Sequence, residues 1–360
     1  MNVLFAHKVD RLGSHRVIEP AGALPQNAIK LDNTPIPFEN EILCEVEALN
    51  IDSASFRQIS ESNDGDARRI GDHIMQTVKE RGKQHNPVTG SGGMFIGEVL
   101  SIGAQLRERI DLRAGDRIAS LVSLTLTPLW IDAVKDVDTA TGRVWICGKA
   151  ILFESGIWAK LPGDIQTEVV LATLDVAGAP AQVRRMAKPG DSVLVIGADG
   201  KSGMLACAQA KMATGGSGRV VGVVPDAGTE SARLLIEENL VDALVEADAR
   251  EVLNLVDKVH AALPDLAHLT VNCVNCAGTE LSSIICTREN GTVYFFSMAT
   301  SFTAAALGAE GVGKDVTMIV GNGYAKGHAE LALQTLRDHP AIHAYFRKRY
   351  APAQHFEQGN

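Results

Sequence analysis

The chain has 360 residues, a formal net charge of −9 and six cysteines. The length predicts two domains that each bury a core of their own. The negative charge argues against nucleic acid as a partner, and six cysteines in so long a chain do not suggest a disulfide framework. Neither an apolar stretch long enough for a membrane span nor a signal-peptide region is evident, so we expect a cytoplasmic protein.

The first part of the chain has the pattern of short strands joined by glycine and proline turns. Strand patterns cover residues 42–50 and 96–103, and a turn near Gly115 leads into another strand around Ile118. A further apolar run follows over residues 121–129. These features predict a small β-rich domain over residues 1–163.

A polar insert over residues 61–86 interrupts these strands. Ile70, Ile74 and Val78 recur every four residues within it, which predicts an amphipathic helix. Two interpretations stay open: the helix decorates the small domain, or it covers a functional cleft.

Helix and strand patterns alternate in the second part of the chain. A helical pattern over about 167–186 precedes strands near residues 193, 220, 243, 271, 292 and 316, and another helix covers about 327–337. This alternation predicts a doubly wound parallel α/β sheet, the Rossmann architecture, over residues 164–320.

The strand Val193–Ile196 ends in a turn with glycines at 197, 200 and 203, followed by a helical stretch. Bare backbone amides at a helix N-terminus are what a pyrophosphate needs. Asp226 follows the next strand, at the distance where a carboxylate binds ribose hydroxyls. The predicted cofactor-binding residues are Gly197, Gly200, Lys201, Ser202, Gly203 and Asp226, with Asn275 and Ser297 at later strand ends.

Two alternatives concern this turn. Gly200-Lys201-Ser202 also matches the end of a nucleotide triphosphate loop, but Val195 stands where that motif needs a glycine. Arg219 and Arg233 lie close enough to Asp226 in the sequence to leave NADP open beside NAD.

Five segments, in this order along most of the chain, resemble the medium-chain dehydrogenase/reductase superfamily: residues 48–52, 97–103, 113–118, 188–195 and the glycine turn. The resemblance implies a GroES-like catalytic domain followed by a Rossmann domain. It also implies C-terminal helices, residues 321–360, that return to the catalytic domain.

Residues 15–33, 49–59 and 89–94 are similar to the L-erythro-3,5-diaminohexanoate dehydrogenase family of lysine fermentation. This resemblance implies NAD(P)-dependent oxidative deamination of a small diamino acid. Two other interpretations stay open, a zinc-independent quinone or enone reductase that uses NADPH and a non-catalytic dinucleotide-binding protein.

Many members of the superfamily bind a catalytic zinc through Cys and His. By the resemblance, the matching positions here are Asp52, Gly93–Met94 and Thr173–Asp175, which offer neither thiolate nor imidazole. We therefore expect no catalytic zinc. Cys273 and Cys276 form a single C-x-x-C, and we interpret both as packing residues.

Deamination without a metal needs a carboxylate near the amine as anchor and base. The resemblance places Asp52 at the position that faces the nicotinamide, although an Asp at a strand end also stabilises turns. Arg57 suits a bidentate contact with the substrate carboxylate, or is simply exposed. The other catalytic candidates are Ser53, Ser91 and Tyr324, each of which has a purely structural alternative.

The last predicted strand, Val316–Val320, is apolar and lies at the edge of the sheet in the family plan. An open apolar edge invites pairing with another chain. We therefore expect a homodimer that continues the sheet across a two-fold axis.

Overall fold

The computed structural model describes residues 10–86, 92–321 and 323–351, leaving aside the side chains of Ser53 and Ala54. The chain forms two compact units that divide between Pro162 and Gly163. The functional domain boundaries expected from the sequence stay predictions.

The first unit is built on antiparallel strands. Its strands are β1 (Val17–Glu19), β2 (Lys30–Leu31), β3 (Glu41–Asn50), β4 (Met94–Ile102), β5 (Arg117–Ser120), β6 (Leu129–Asp138), β7 (Arg143–Phe153) and β8 (Trp158–Lys160). β1 pairs with β2, and the other six form a sheet in the order β6-β7-β3-β4-β5-β8. The sequence analysis missed the β6–β7 hairpin, because β6 is mostly polar and partly exposed beyond Leu129.

The insert forms two helices, α1 (Ser53–Ser62) and α2 (Ala67–Arg81). Ile70, Ile74 and Val78 are buried in the core of the first unit, which confirms the amphipathic helix. Gly71 of α2 packs closely on β6, since a Cβ there would lie 3.1 Å from Val134 Cγ1. This packing corresponds to the interpretation of the insert as a decoration of the small domain.

The second unit is a parallel sheet between helices. Its strands are β9 (Ser192–Ile196), β10 (Arg219–Val224), β11 (Ala243–Glu246), β12 (Ala267–Asn272), β13 (Thr287–Phe295) and β14 (Thr317–Val320). Their order is β11-β10-β9-β12-β13-β14, and every neighbouring pair is parallel. The doubly wound α/β prediction is therefore confirmed, and β14 is an edge strand.

Nine α-helices lie in the described part of the second unit: α3 (Thr167–Leu174), α4 (Gly178–Met186), α5 (Lys201–Thr214), α6 (Glu230–Glu237), α7 (Val252–Ala262), α8 (Glu280–Ile285), α9 (Phe302–Gly311), α10 (His328–Asp338) and α11 (Pro340–Tyr350). The helical pattern over 167–186 is thus two helices rather than one. Both α10 and α11 pack on α3. In addition, α10 packs on α4 and α5, and α11 packs on α6. Among the described residues, none of the helices is long and apolar enough to cross a membrane.

Candidate functional site

The glycine turn between β9 and α5 brings the first turn of the helix very close to the end of the strand. Gly197 adopts a positive φ of 79°, a conformation that favours glycine. A Cβ on Gly203 would lie 2.1 Å from the carbonyl oxygen of Gly197, closer than any real side chain approaches. Only glycine at 203 therefore lets the first turn of α5 rest on the end of β9.

Gly200 occupies the N-cap of α5, and no side chain caps this helix. A Cβ on Gly200 would meet no atom closer than the Gly197 carbonyl oxygen, at 3.5 Å. The first amides of α5 are thus left without a capping side chain beside open space, which is the cradle that a phosphate group uses.

The two residues after Gly200 have different surroundings. Lys201 forms an ion pair with Asp175, and its Nζ lies 6.0 Å from the centre of the Tyr350 ring. Lys201 is therefore not a freely solvated residue, and its contact with a cofactor stays a prediction. Ser202 is buried in the first turn of α5.

Two carboxylates lie near each other at the carboxyl ends of β9 and β10. Asp226 is exposed, and its Oδ1 accepts a hydrogen bond of 2.7 Å from the Gly228 amide. Burial and the nearby charge of Asp226 raise the pKa of Asp199, which lies in the glycine turn. The glycine turn and Asp226 are thus brought together, as the sequence predicts for a dinucleotide site.

A cavity of about 280 Å³ opens at the same edge of the sheet, with Gly197, Pro225, Arg250 and Val274 among its lining residues. Asn275 is exposed in the loop after β12, whereas Ser297 is nearly buried after β13. Neither residue is among those lining this cavity, so their contact with a cofactor stays a prediction.

Asn272, the last residue of β12, is not among the residues that the sequence predicts. It is fully buried, and its Nδ2 donates to Thr279 Oγ1 at 2.8 Å and to Ser283 Oγ at 2.9 Å. These bonds fix the loop after β12 to α8. The available signal was a polar residue at the end of an apolar strand.

Asp52 lies between β3 and α1 in the first unit. Its Oδ1 accepts a hydrogen bond of 2.9 Å from the Ser55 amide, so Asp52 caps α1. The turn-stabilising interpretation is therefore confirmed. Its Oδ2 is buried, yet no residue that the structure describes donates a hydrogen bond to that oxygen. Asp52 thus keeps one carboxylate oxygen available for another group.

Two glycines bring the loop after α2 beside the end of β3. A Cβ on Gly93, where φ is 86°, would lie 2.1 Å from Asn50 O, and one on Gly92 would lie 2.6 Å from Gln84 O. Gln84 Oε1 and His85 Nδ1 are further buried atoms that have no hydrogen-bond partner within residues 10–86, 92–321 and 323–351. The sequence analysis missed both residues, because a polar loop has no periodicity to mark them.

The remaining catalytic candidates are spread over both units. Arg57 is exposed and lines a shallow cavity of about 310 Å³ together with Ser60 and Thr141. Tyr324, in the second unit, is 44% exposed and its ring lies 5.3 Å from that of His328. The side chain of Ser53 and the whole of Ser91 lie outside the described residues. The catalytic roles of all these residues stay predictions.

The described residues, 10–86, 92–321 and 323–351, include all six cysteines. Within them no three His, Cys, Asp or Glu side chains are grouped so that they could hold a metal ion. Burial raises the pKa of the Cys273 thiol to about 12, despite a hydrogen bond with Ser202. A protonated, buried thiol is typical of a packing residue.

Comparison with known proteins adds evidence on the family. Residues 15–162 match the N-terminal domain of L-erythro-3,5-diaminohexanoate dehydrogenase. The enzyme of that name from Acetoanaerobium sticklandii is 54% identical over 341 residues, which cover 94% of this chain and 98% of the relative. The one from Fusobacterium nucleatum subsp. nucleatum is 49% identical over 344 residues, with the same coverage.

Solved structures provide evidence on the fold alone. A mycobacterial quinone oxidoreductase is 17% identical with a TM-score of 0.52, and the match covers 89% of this chain and 86% of that one. The quinone oxidoreductase of Escherichia coli, solved with NADPH, is 18% identical with a TM-score of 0.51 and the same coverage. These likenesses confirm the GroES-like and Rossmann architecture expected from the sequence.

Proposed function

We propose that this chain, which belongs to the L-erythro-3,5-diaminohexanoate dehydrogenase family, deaminates L-erythro-3,5-diaminohexanoate to 5-amino-3-oxohexanoate and ammonium. The observation that carries the proposal is 54% identity to an enzyme named for this substrate, over 94% of the chain and 98% of the relative. The chain is accordingly an oxidoreductase whose substrate is a small molecule.

A nicotinamide dinucleotide is the cofactor of this reaction, and when bound it supplies the acceptor for the hydride that leaves C3. We place its pyrophosphate at the amides that follow Gly200. Support comes from the open space beside Gly200 and from the close approach that Gly203 permits between α5 and β9. In this proposal Ser202 positions the first turn of α5, and Lys201 contributes positive charge near the phosphates.

We propose NAD rather than NADP as the preferred cofactor. In this proposal Asp226 accepts hydrogen bonds from the ribose hydroxyls, and Asp199 lies close enough that, after burial, the charge of Asp226 helps to raise its pKa. A 2′-phosphate beside two carboxylates would be repelled. Arg219 is the first residue of β10 and lies at the opposite end of that strand from Asp226. Arg233 Nε donates a hydrogen bond of 3.4 Å to the Thr229 carbonyl oxygen.

In the first unit, we propose that Asp52 accepts the proton from the ammonium group at C3. The nitrogen must carry a free lone pair before hydride leaves the same carbon, because that lone pair stabilises the developing iminium. Support comes from the buried Oδ2 of Asp52, which has no hydrogen-bond partner in the described part of the chain. Arg57 would hold the substrate carboxylate, with Ser53, Ser91 and Tyr324 as further polar contacts.

We further propose a homodimer that pairs through β14. This strand is at the edge of its sheet, and Val320 is 49% exposed there. Phe302 and Leu307, on the helix just before β14, are 72% and 62% exposed. Light scattering at micromolar concentration should give a dimer for the wild type and a monomer for Val320→Lys. A wild-type monomer would contradict this assembly.

The direct test of the function is reduction of NAD by the purified protein with L-erythro-3,5-diaminohexanoate, with ammonium measured as a product. NADP in place of NAD tests the cofactor preference, and an enone with NADPH tests the reductase alternative. We expect turnover with the diamine and NAD, and unchanged turnover after dialysis against a strong chelator. Cofactor binding without any turnover, or turnover of the enone alone, would contradict the proposal.

A further inference from the structure

Residues 83–86, which follow α2, are held in position by contacts on three sides. Gly92 lies against the Gln84 carbonyl oxygen, as described above. Asn86 Nδ2 donates to Gln58 Oε1 in α1 at 2.7 Å, and Lys83 Nζ donates to Pro25 O at 2.8 Å. The loop is therefore held by the first unit itself, independently of any substrate.

This loop lies beside the candidate base. Gly92 contacts Gln84, while its neighbour Gly93 packs on the backbone of Asn50 and Ile51, immediately before Asp52. The bond from Asn86 reaches α1, the helix that Asp52 caps. Two independent connections thus place Gln84 and His85 next to the end of β3.

Among the residues that the structure describes, nothing donates a hydrogen bond to three buried atoms in this region: Asp52 Oδ2, Gln84 Oε1 and His85 Nδ1. Gln84 is only 1% exposed, so its side chain lies within the unit and not in bulk solvent. A buried polar atom without a partner costs free energy of folding, and one that persists in a native structure calls for an explanation. An alkylammonium group, with three N–H donors and a positive charge, would satisfy such acceptors.

We propose that Gln84 Oε1 and His85 Nδ1 bind the second ammonium group of the substrate, the one at C5, while Asp52 acts on the amine at C3. This inference rests on the proposed function and adds to it the residues that select a diamino acid. The two nitrogens of the substrate are bonded to carbons that are separated by a single methylene. Acceptors that lie in one region, such as Asp52, Gln84 and His85, therefore suit both nitrogens.

The electrostatics around His85 agree with this role. Burial and the charges of Lys83 and Arg81 lower its pKa, so His85 is neutral at neutral pH and Nδ1 can accept a hydrogen bond. The same two cations would oppose a bound ammonium group. Asp52 supplies the compensating negative charge, and the Pro25 carbonyl oxygen partly satisfies the Lys83 ammonium.

The experiment compares two substrates on the same preparation of each variant. The first is L-erythro-3,5-diaminohexanoate, and the second is 3-aminohexanoate, which lacks only the amine at C5. Their ratio of kcat/KM cancels any loss of folded protein. We expect Gln84→Met to lower this ratio about 10- to 100-fold, because it removes one acceptor from a charged group.

Three further variants make the test specific. Gln84→Glu keeps an acceptor and adds a negative charge, so it should retain or raise the ratio. His85→Asn keeps an acceptor near the position of Nδ1, whereas His85→Leu does not, so only His85→Leu should lower the ratio. Gln76→Met on the exposed face of α2 is the matched control and should leave the ratio unchanged.

The possible failures are distinguishable. If wild-type protein deaminates neither amine, the proposed function itself fails. If it deaminates the diamine but Gln84→Met and His85→Leu leave the ratio unchanged, this inference is overturned. A Gln84→Glu variant that loses the diamine while Gln84→Met keeps it would instead assign Gln84 to the substrate carboxylate, and would also overturn it.

Discussion

Carboxylates with buried oxygens lie at both ends of β3, and they differ in whether their hydrogen bonds are satisfied. At its start, Glu41 is fully buried and accepts hydrogen bonds from Arg16 Nη2 at 2.6 Å, Arg16 Nε at 2.9 Å and the Phe38 amide at 2.8 Å. Just beyond its other end, Asp52 Oδ2 is buried with no partner among the described residues. The first arrangement is complete in itself, whereas the second leaves an acceptor open.

This difference separates stability from binding within one unit. A buried ion pair with its hydrogen bonds satisfied holds two chain segments together and offers nothing to a ligand. An open buried acceptor weakens folding, but gains its partner when a ligand arrives. Substitutions at the two ends should therefore have opposite signatures in stability and in activity.

Asp52→Asn should give the largest effect on activity. Asn caps helices as well as Asp does, so α1 keeps its cap and the free energy of unfolding should change by under about 1 kcal/mol. Losing a positioned general base costs about a hundredfold to ten-thousandfold in turnover. Turnover, NAD affinity and urea unfolding are measured on the same samples.

The matched control is Asp66→Asn, because Asp66 caps α2 through the Arg69 amide in the same way. It should leave both turnover and stability unchanged. If Asp52→Asn keeps more than a few per cent of wild-type turnover, Asp52 is not the base. The unsatisfied acceptor at this end of β3 would then have no role in catalysis.

Glu41→Gln should instead destabilise the first unit by about 3 kcal/mol, since it leaves the buried Arg16 guanidinium without its counter-charge. All three tryptophans, Trp130, Trp145 and Trp158, belong to this unit, so their fluorescence during urea unfolding reports on it. Turnover per folded molecule should stay near that of the wild type. Equal midpoints for variant and wild type would refute the structural role.

The ion pair of Glu41 and Arg16 predicts that the stability of the first unit depends on pH. Burial opposes ionisation of Glu41, but hydrogen bonds from His15 and Arg16 outweigh it and lower its pKa. The stabilisation is therefore complete above the ordinary glutamate pKa of about 4.3 and is lost as the pH falls through the lowered value. Wild type should lose its advantage over Glu41→Gln below about pH 4, as urea unfolding at several pH values would show.

In the second unit, Gly203→Ala should act on the fold and on the cofactor together. Its Cβ would collide with the Gly197 carbonyl oxygen, which costs about 1–3 kcal/mol when the backbone must shift. We also expect NAD affinity to fall at least about tenfold, as titration would measure. Gly216→Ala, where a Cβ meets nothing within 4 Å, is the control. Unchanged stability of Gly203→Ala would contradict the close approach.

Asp226→Asn should have the smallest effect, a fall of about tenfold in the preference for NAD over NADP. The ratio of kcat/KM for the two cofactors measures it directly. Asp265→Asn, in the exposed turn before β12, should leave the ratio unchanged. A constant ratio in Asp226→Asn would remove Asp226 from the ribose site.

The sequence predicted the fold of the second unit well, for a physical reason. Strands such as Val193–Ile196 are apolar throughout because both faces of a parallel sheet are buried, and a glycine such as Gly203 marks a place where backbone meets backbone. Those constraints act between residues near in sequence. The order of the strands, the turn and Asp226 could therefore be read from the chain.

The surroundings of Asp52 in the first unit depend on contacts between distant segments. The sequence by itself determined that Asp52 follows a strand, and its resemblance to a family gave that residue a role. Only the tertiary structure decided that Gly92 and Gly93 bring Gln84 and His85 close to the end of β3, and that three acceptors there have no partner among the described residues. Whether a buried polar atom has a partner depends on what the fold packs around it, and no local pattern of residues encodes that.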